Sequence, residues 1–302
     1  MSRLTFPQDY QPDPDHFYKG FRMLALSPAA TLDAIREMEV RDDDIWVVTY
    51  PKAGTTLGAE MTSVIVEGGD LEKMESRHSR DRVIFLETGP IEKLNMPARY
   101  KFAEAMPRDV PRLFRTHLSY ELMPEQWYTK KPKTLYIARN PKDTAVSSWH
   151  FTKINRFLQP CDTFEEFLPK FVEGDVMYGS WFDHNLAYWE HRNDTNILFV
   201  TFEDTVKDLK GQITRIADFY GRPLPAQKVD ACVEYCTFHK MKENPMIRYS
   251  RAAIDGDKGS FFRKGMVGDW KNHFTVAQSE MFDSIYTEKM TGTGLTFAFD
   301  TA

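Results

Sequence analysis

Four short apolar runs stand out along the chain: Ile45–Thr49 (IWVVT) and residues 112–116 (RLFRT), 134–138 (TLYIA) and 196–201 (NILFVT). Each is bounded by polar or turn residues and is rich in β-branched or aromatic types, which is the pattern of a buried strand. Helical spacing lies between them. After the first run, Leu57, Met61, Val64 and Ile65 repeat on one helix face, and Gly68 supplies a stop. After the fourth, Val206, Leu209, Ile213 and Ile216 form an apolar stripe that ends near Gly221. Strands alternating with helices predict an α/β fold whose central parallel sheet is flanked by helices on both faces. In such sheets ligands sit at the carboxyl ends of the strands. Residues 1–40 read as an N-terminal arm, with Pro12 and Pro14 followed by a short helical pattern around Leu32 to Met38.

Composition narrows the class. The 302 residues are 42% apolar and 27% charged, as in ordinary globular proteins. No repeat, low-complexity tract or linker divides them, so residues 1–302 are read as a single domain with the arm packed on it. A formal net charge of -5 gives no broad attraction to nucleic acid or to an anionic membrane, and neither is expected as a partner. No apolar run approaches the roughly 18 residues of a membrane span, and the first residues lack the basic and apolar regions of a secretory leader. The three cysteines, Cys161, Cys232 and Cys236, fit a reducing compartment, and a cytoplasmic setting is expected. Cys232 and Cys236 lie at helical spacing, where two buried thiols are a better reading than a metal site. Aromatics make up 14%, enough for a large aromatic core or for an aromatic-lined pocket.

Three segments carry candidate anion chemistry. Thr49-Tyr50-Pro51-Lys52-Ala53-Gly54-Thr55-Thr56 follows the first strand and opens a helix. There Gly54 admits close backbone approach, the helix N-terminus offers unpaired N–H groups, and Lys52 adds a charge. The lysine precedes the glycine, so this is not the nucleoside-triphosphate loop in which it follows. Arg139 leaves the third strand before Asn140, Pro141 and Asp143, with Ser147 two helical turns on. Its guanidinium suits a phosphate, although an ion pair with Asp143 would serve as well. Arg263-Lys264-Gly265, preceded by Phe261 and Phe262, suits a loop closing over a phosphorylated nucleotide. A solvated charge pair would look the same in sequence.

Together the segments TYPKAGTT, ARNPKDTAVSSWHF and FFRKGMVGDWKNHFT resemble the signatures of the cytosolic sulfotransferases, with PRLFRTHL, DRVIFLE, YGSWFDH and MKENPM as smaller matches. The resemblance spans residues 42–275. It implies a sheet related to that of nucleotide kinases and 3′-phosphoadenosine 5′-phosphosulfate (PAPS) as donor, leaving adenosine 3′,5′-bisphosphate (PAP), with no metal. By position, Lys52, Ala53, Gly54, Thr55 and Thr56 hold the 5′-phosphosulfate. Arg139, Ser147, Arg263, Lys264 and Gly265 hold the 3′-phosphate, and Leu57, Phe202, Thr237, Phe238, Phe261 and Phe262 complete the nucleotide site. Lys52, Ser147 and His117 take the catalytic positions, His117 as general base toward the acceptor hydroxyl. Phe85, Arg115, Phe151 and His117 fall where the family lines its pocket for a small acceptor, such as a phenol or sterol. The run from Lys271 to Glu280 is similar to the family's short homodimer motif. The sequence departs from the pattern at Leu57, where a tryptophan usually stacks on adenine, at Arg115 for a lysine, at Phe202 for a tyrosine, and at Cys236 for a hydroxyl residue. A kinase on the same sheet, or a non-catalytic nucleotide binder, are the competing readings. The first lacks its phosphate loop, and the second would lack Lys52 or His117.

Overall fold

The computed structural model describes residues 16–91, 96–247 and 254–300. The first 15 residues of the expected arm lie outside them. Strands β1 (His16–Tyr18) and β2 (Phe21–Met23) form a small antiparallel hairpin. The main sheet contains β3 (Ile45–Thr49), β4 (Ile84–Phe85), β5 (Leu113–Thr116), β6 (Lys133–Ala138) and β7 (Ile197–Thr201) in the order β4-β5-β3-β6-β7. All four pairings in it are parallel.

Every residue of β3 is buried, as a continuous apolar run requires of a strand covered on both faces. Alternation then assigns the two faces. Ile45, Leu135 and Ile137 pack with the helix Thr55–Val66 and with Ile213, Ile216, Val229 and Cys232. Trp46, Val48, Phe114 and Tyr136 pack with Leu32, Ile35 and Met38 and with Tyr188 on the other side. The helix Ala29–Glu37 of the N-terminal region thus closes one layer. Cys232 and Cys236 are buried free thiols.

Three sequence expectations change. The stripe after β7 is two helices, Phe202–Lys207 and Leu209–Phe219, because Asp208 caps the second by accepting from Gly211 N–H. Val206 is therefore turned outward and 41% exposed rather than buried in the stripe. The second strand begins at Leu113; Arg112 before it is buried by a bidentate pair with Asp44, at 2.6 and 2.7 Å. β4 and the hairpin go unannounced by periodicity, being only two and three residues long.

Strand register aligns the sheet's carboxyl ends. Val48 pairs with Thr116, Thr49 with Ile137, and Ala138 with Thr201. The residues after these strand ends therefore emerge along one edge: the loop after Thr49, His117, Arg139 and Phe202.

Candidate active site

The loop after β3 is shaped by Gly54, whose φ of 116° is left-handed. A Cβ there would also lie 3.0 Å from the ring of Phe202, so both backbone and space call for glycine. The helix that opens at Thr55 turns its unpaired N–H groups toward the edge. Thr55 Oγ1 lies 2.7 Å from Thr49 Oγ1. Ala53 alone of the expected set does not line the site: its side chain is buried in the core and its N–H donates to Tyr50 O at 3.1 Å.

Arg139 is buried at the end of β6 and bridges two segments. It donates to Lys52 O at 3.3 Å and to Met266 O at 2.9 Å, and its guanidinium carbon stands 4.4 Å from the ring centroid of Phe202. Its Nε has no hydrogen-bond partner among the described residues. The alternative pairing with Asp143 is not formed. That carboxylate accepts instead from the Asn140 amide and from the N–H groups of Gly268 and Trp270. Arg263 and Lys264 are not free cations either: both donate to Asp269, whose side chain is 1% exposed, although Lys264 itself stays largely in solvent. Burial alone would raise the Asp269 carboxyl, but its bonds from Lys264 and Arg263 outweigh that and hold it well below the usual range. Gly265 has φ 65°, and a Cβ on it would meet Phe238 Cδ2 at 2.0 Å, so the loop lies flat on that ring.

His117 follows β5. Its Nδ1 lies 2.8 Å from Thr49 O and 3.3 Å from Thr49 Oγ1. A carbonyl only accepts, so Nδ1 carries the proton and Nε2 is the basic nitrogen. Burial pushes the imidazole down to about 3, helped by the neighbouring His184, Arg115 and Lys52, so the neutral ring is the stable form. Its backbone N–H donates to Glu87 Oε1 at 2.6 Å, and its ring meets Phe85 and Tyr178 edge-on at 5.3 and 5.2 Å. Burial raises the Glu87 carboxyl to about 7. The motifs FLE and YGSWFDH contain Glu87 and Tyr178, but no spacing in the sequence ties either to His117. Lys52, half-buried, is pushed down to about 7 by desolvation and by Arg139 and Arg263.

These groups share one crevice of about 480 Å³, in the range of small-molecule sites. Lys52, Gly54, Thr55, Thr56, Arg139, Ser147, Arg263, Lys264 and Gly265 line it, with Leu57, Phe202, Thr237, Phe238, Phe261 and Phe262. Phe85, Arg115, His117 and Phe151 belong to the same cavity, joined by Leu24, Leu26, Phe157, Met177, Tyr178 and Ile254. Leu57 and Cys236 are in its wall, and the Phe202 ring supports Arg139 without a hydroxyl to donate. Cations, a glycine turn and a helix N-terminus at one sheet edge fit a doubly phosphorylated nucleotide. Among the described residues no group of three His, Cys, Asp or Glu is placed to hold a metal ion.

Fold and crevice define an α/β protein whose strand-to-helix loop suits a phosphorylated nucleotide and keeps a neutral histidine beside it. Comparison with known proteins makes the class specific. The family model described as a sulfotransferase domain matches residues 42–294. The chain is 41% identical over 281 residues to sulfotransferase 1C2 of Homo sapiens, covering 91% of this chain and 93% of the relative. It is 40% identical over 274 residues to the amine sulfotransferase of Oryctolagus cuniculus, covering 89% and 88%. Among solved structures, mouse sulfotransferase SULT7A1 complexed with PAP is similar at TM-score 0.76 and 33% identity, over 92% of this chain and 94% of that one. Retinol dehydratase in complex with androsterone and PAP is similar at TM-score 0.84 and 26% identity, over 92% and 89%. The chain belongs to the sulfotransferase family, as a PAPS-dependent enzyme.

Proposed function

We propose that this enzyme transfers the sulfonate of PAPS to a hydroxyl or amine of a small hydrophobic acceptor, with His117 as general base. The observation that carries the reading is the His117 Nδ1 bond to Thr49 O. It fixes the tautomer, so the basic Nε2 belongs to a ring that shares a crevice with Lys52. Bound PAPS would supply an activated sulfonate whose leaving group is a phosphate oxygen. Gly54, Thr55, Thr56 and Lys52 would hold that 5′ end, and Arg139, Ser147, Arg263, Lys264 and Gly265 the 3′-phosphate. Leu57, Thr237 and Phe238 would flank the base.

His117 takes the acceptor's proton as the acceptor oxygen or nitrogen bonds to sulfur. The sulfur–oxygen bond to phosphate breaks on the opposite side, and the Lys52 ammonium stabilises the charge left on that oxygen. Leu24, Leu26, Phe85, Phe151, Phe157 and Met177 give the acceptor end apolar walls suited to a phenol or sterol. The amine sulfotransferase relative and the androsterone-bound neighbour support amines and sterols as acceptor classes. Transfer of labelled sulfonate from PAPS to a panel of phenols, sterols, catechols and amines, without added metal, tests this. Transfer to none of the panel would overturn the acceptor reading.

We also infer a homodimer through the segment from Lys271 to Glu280. Val276 opens the helix Val276–Met290 with 76% of its surface exposed, in a region fixed by a Thr275–Gln278 capping box. A small self-complementary contact covers such a residue. The three free cysteines support a reducing, cytoplasmic setting.

A further inference from the structure

The ammonium of Lys52 is held by aromatic faces. Its Nζ lies 4.0 Å from the ring centroid of Phe151 and 4.2 Å from that of Phe261, and the two rings meet at 6.0 Å with an interplanar angle of 77°. The charges that act most on Lys52, Arg139 from the end of β6 and Arg263 from the third loop, are both positive, and His117 faces it from the end of β5. Ring faces attract a cation without cancelling its charge. A carboxylate in their place would hold the lysine equally well, but it would neutralise the ammonium and repel an incoming phosphosulfate. The two walls come from different elements. Phe151 lies one helical turn beyond Ser147 on the helix Pro141–Ile154, and Phe261 lies two residues before Arg263. Each ring therefore rides on a segment assigned to the 3′-phosphate.

We propose that Phe151 and Phe261 are positioning residues that cage the Lys52 ammonium, without a neutralising carboxylate, for the leaving phosphate oxygen, and that couple its placement to the seating of the nucleotide's other end. The proposal rests on the role given to Lys52. Burial and like charges drive Lys52 toward the neutral amine, and the rings oppose them by favouring the cation.

The test uses Phe261→Leu, Phe151→Leu, Phe261→Tyr and Lys52→Ala in the full chain. Turnover at saturating PAPS, PAP affinity by calorimetry, and the pH profile of kcat/KM are measured for each. Each leucine variant is expected to lose about tenfold in kcat, with PAP affinity changed less than about threefold. Its alkaline limb should move to lower pH, and Phe261→Tyr, which keeps the ring face, should restore both. Leucine variants with the parent kcat and the parent alkaline limb would overturn the cage. So would a loss confined to PAP affinity or acceptor KM, because the rings would then serve binding alone. If Lys52→Ala itself turns over like the parent, the lysine assignment falls, and the cage with it.

Discussion

His117 donates its Nδ1–H to Thr49 O, 2.8 Å away, across the pairing of β5 with β3. The bond costs the ring its freedom and leaves Nε2 as the nitrogen free to accept a proton, as the proposed role requires. Replacing His117 by Ala should lower turnover about 10²- to 10⁴-fold, the usual worth of a positioned general base. PAP affinity should hold within about twofold, because the groups assigned to the nucleotide come from the segments after β3 and β6 and from the Arg263–Gly265 loop. Single-turnover kinetics and calorimetry on the variant would show it, and near-parental turnover would remove His117 from the role.

The pH profile follows from two shifts of different sign in their effect. The base works unprotonated, and burial has pushed His117 down to about 3, so acid removes little of the working form above that value. The lysine works protonated, and desolvation has pushed it down to about 7, so alkali removes the working form above that value. For the free enzyme, kcat/KM should stay flat from about pH 5 to about 7 and then fall. A loss of activity below about pH 6.5, where free imidazole titrates, would point to a different base.

Arg139 donates to Lys52 O and Met266 O when the crevice holds only protein, and a phosphate would replace neutral acceptors by charged ones. Arg139→Ala should weaken PAP binding by about 1.5–3 kcal/mol, the worth of a charged hydrogen-bonded contact. Arg139→Lys should recover only part of it, since an ammonium lacks the fork that reaches two segments at once. Titration calorimetry reads both.

Gly265→Ala adds a Cβ that would sit 2.0 Å from Phe238 Cδ2, on a backbone with φ 65°. The left-handed strain alone is about 1–2 kcal/mol for an L-residue, and the ring must move as well. PAP should bind about tenfold more weakly or worse, while acceptor KM stays near its parent value. An unchanged PAP affinity would show that Phe238 does not flank the nucleotide.

Val276→Asp places a charge where the dimer contact is inferred. The variant should elute as a monomer at micromolar concentration in size exclusion with light scattering, where the parent elutes as a dimer. A monomeric parent would dispose of the dimer.

The chain announced its inner strands clearly, because β3 and β6 are buried almost throughout and so carry continuous apolar runs. It concealed β4, where two residues leave no periodicity to read, and it disguised the break at Asp208, where the apolar stripe continues but a side-chain cap restarts the helix. The cationic turns were legible because each directly follows a strand end or sets a glycine beside its cations. Asp269 was not, since its meaning depends on Arg263 and Lys264 folding back onto it. Glu87 lies 30 residues before His117 and Tyr178 lies 61 after it, so their convergence is set by the sheet rather than by local spacing.

The order β4-β5-β3-β6-β7 places Lys52 and His117 just beyond the carboxyl ends of two adjoining inner strands, β3 and β5, whereas Leu24, Leu26, Phe157 and Ile254 reach the cavity from outlying connections. The two groups assigned to the chemistry are thus spaced by neighbouring strands of the sheet, and the walls that would meet the acceptor hang from its periphery. Substitutions in those walls can reshape the chamber while the distance between base and ammonium stays set by backbone ladders. New substrates are open to this scaffold through its outskirts, with the chemistry left undisturbed at the centre.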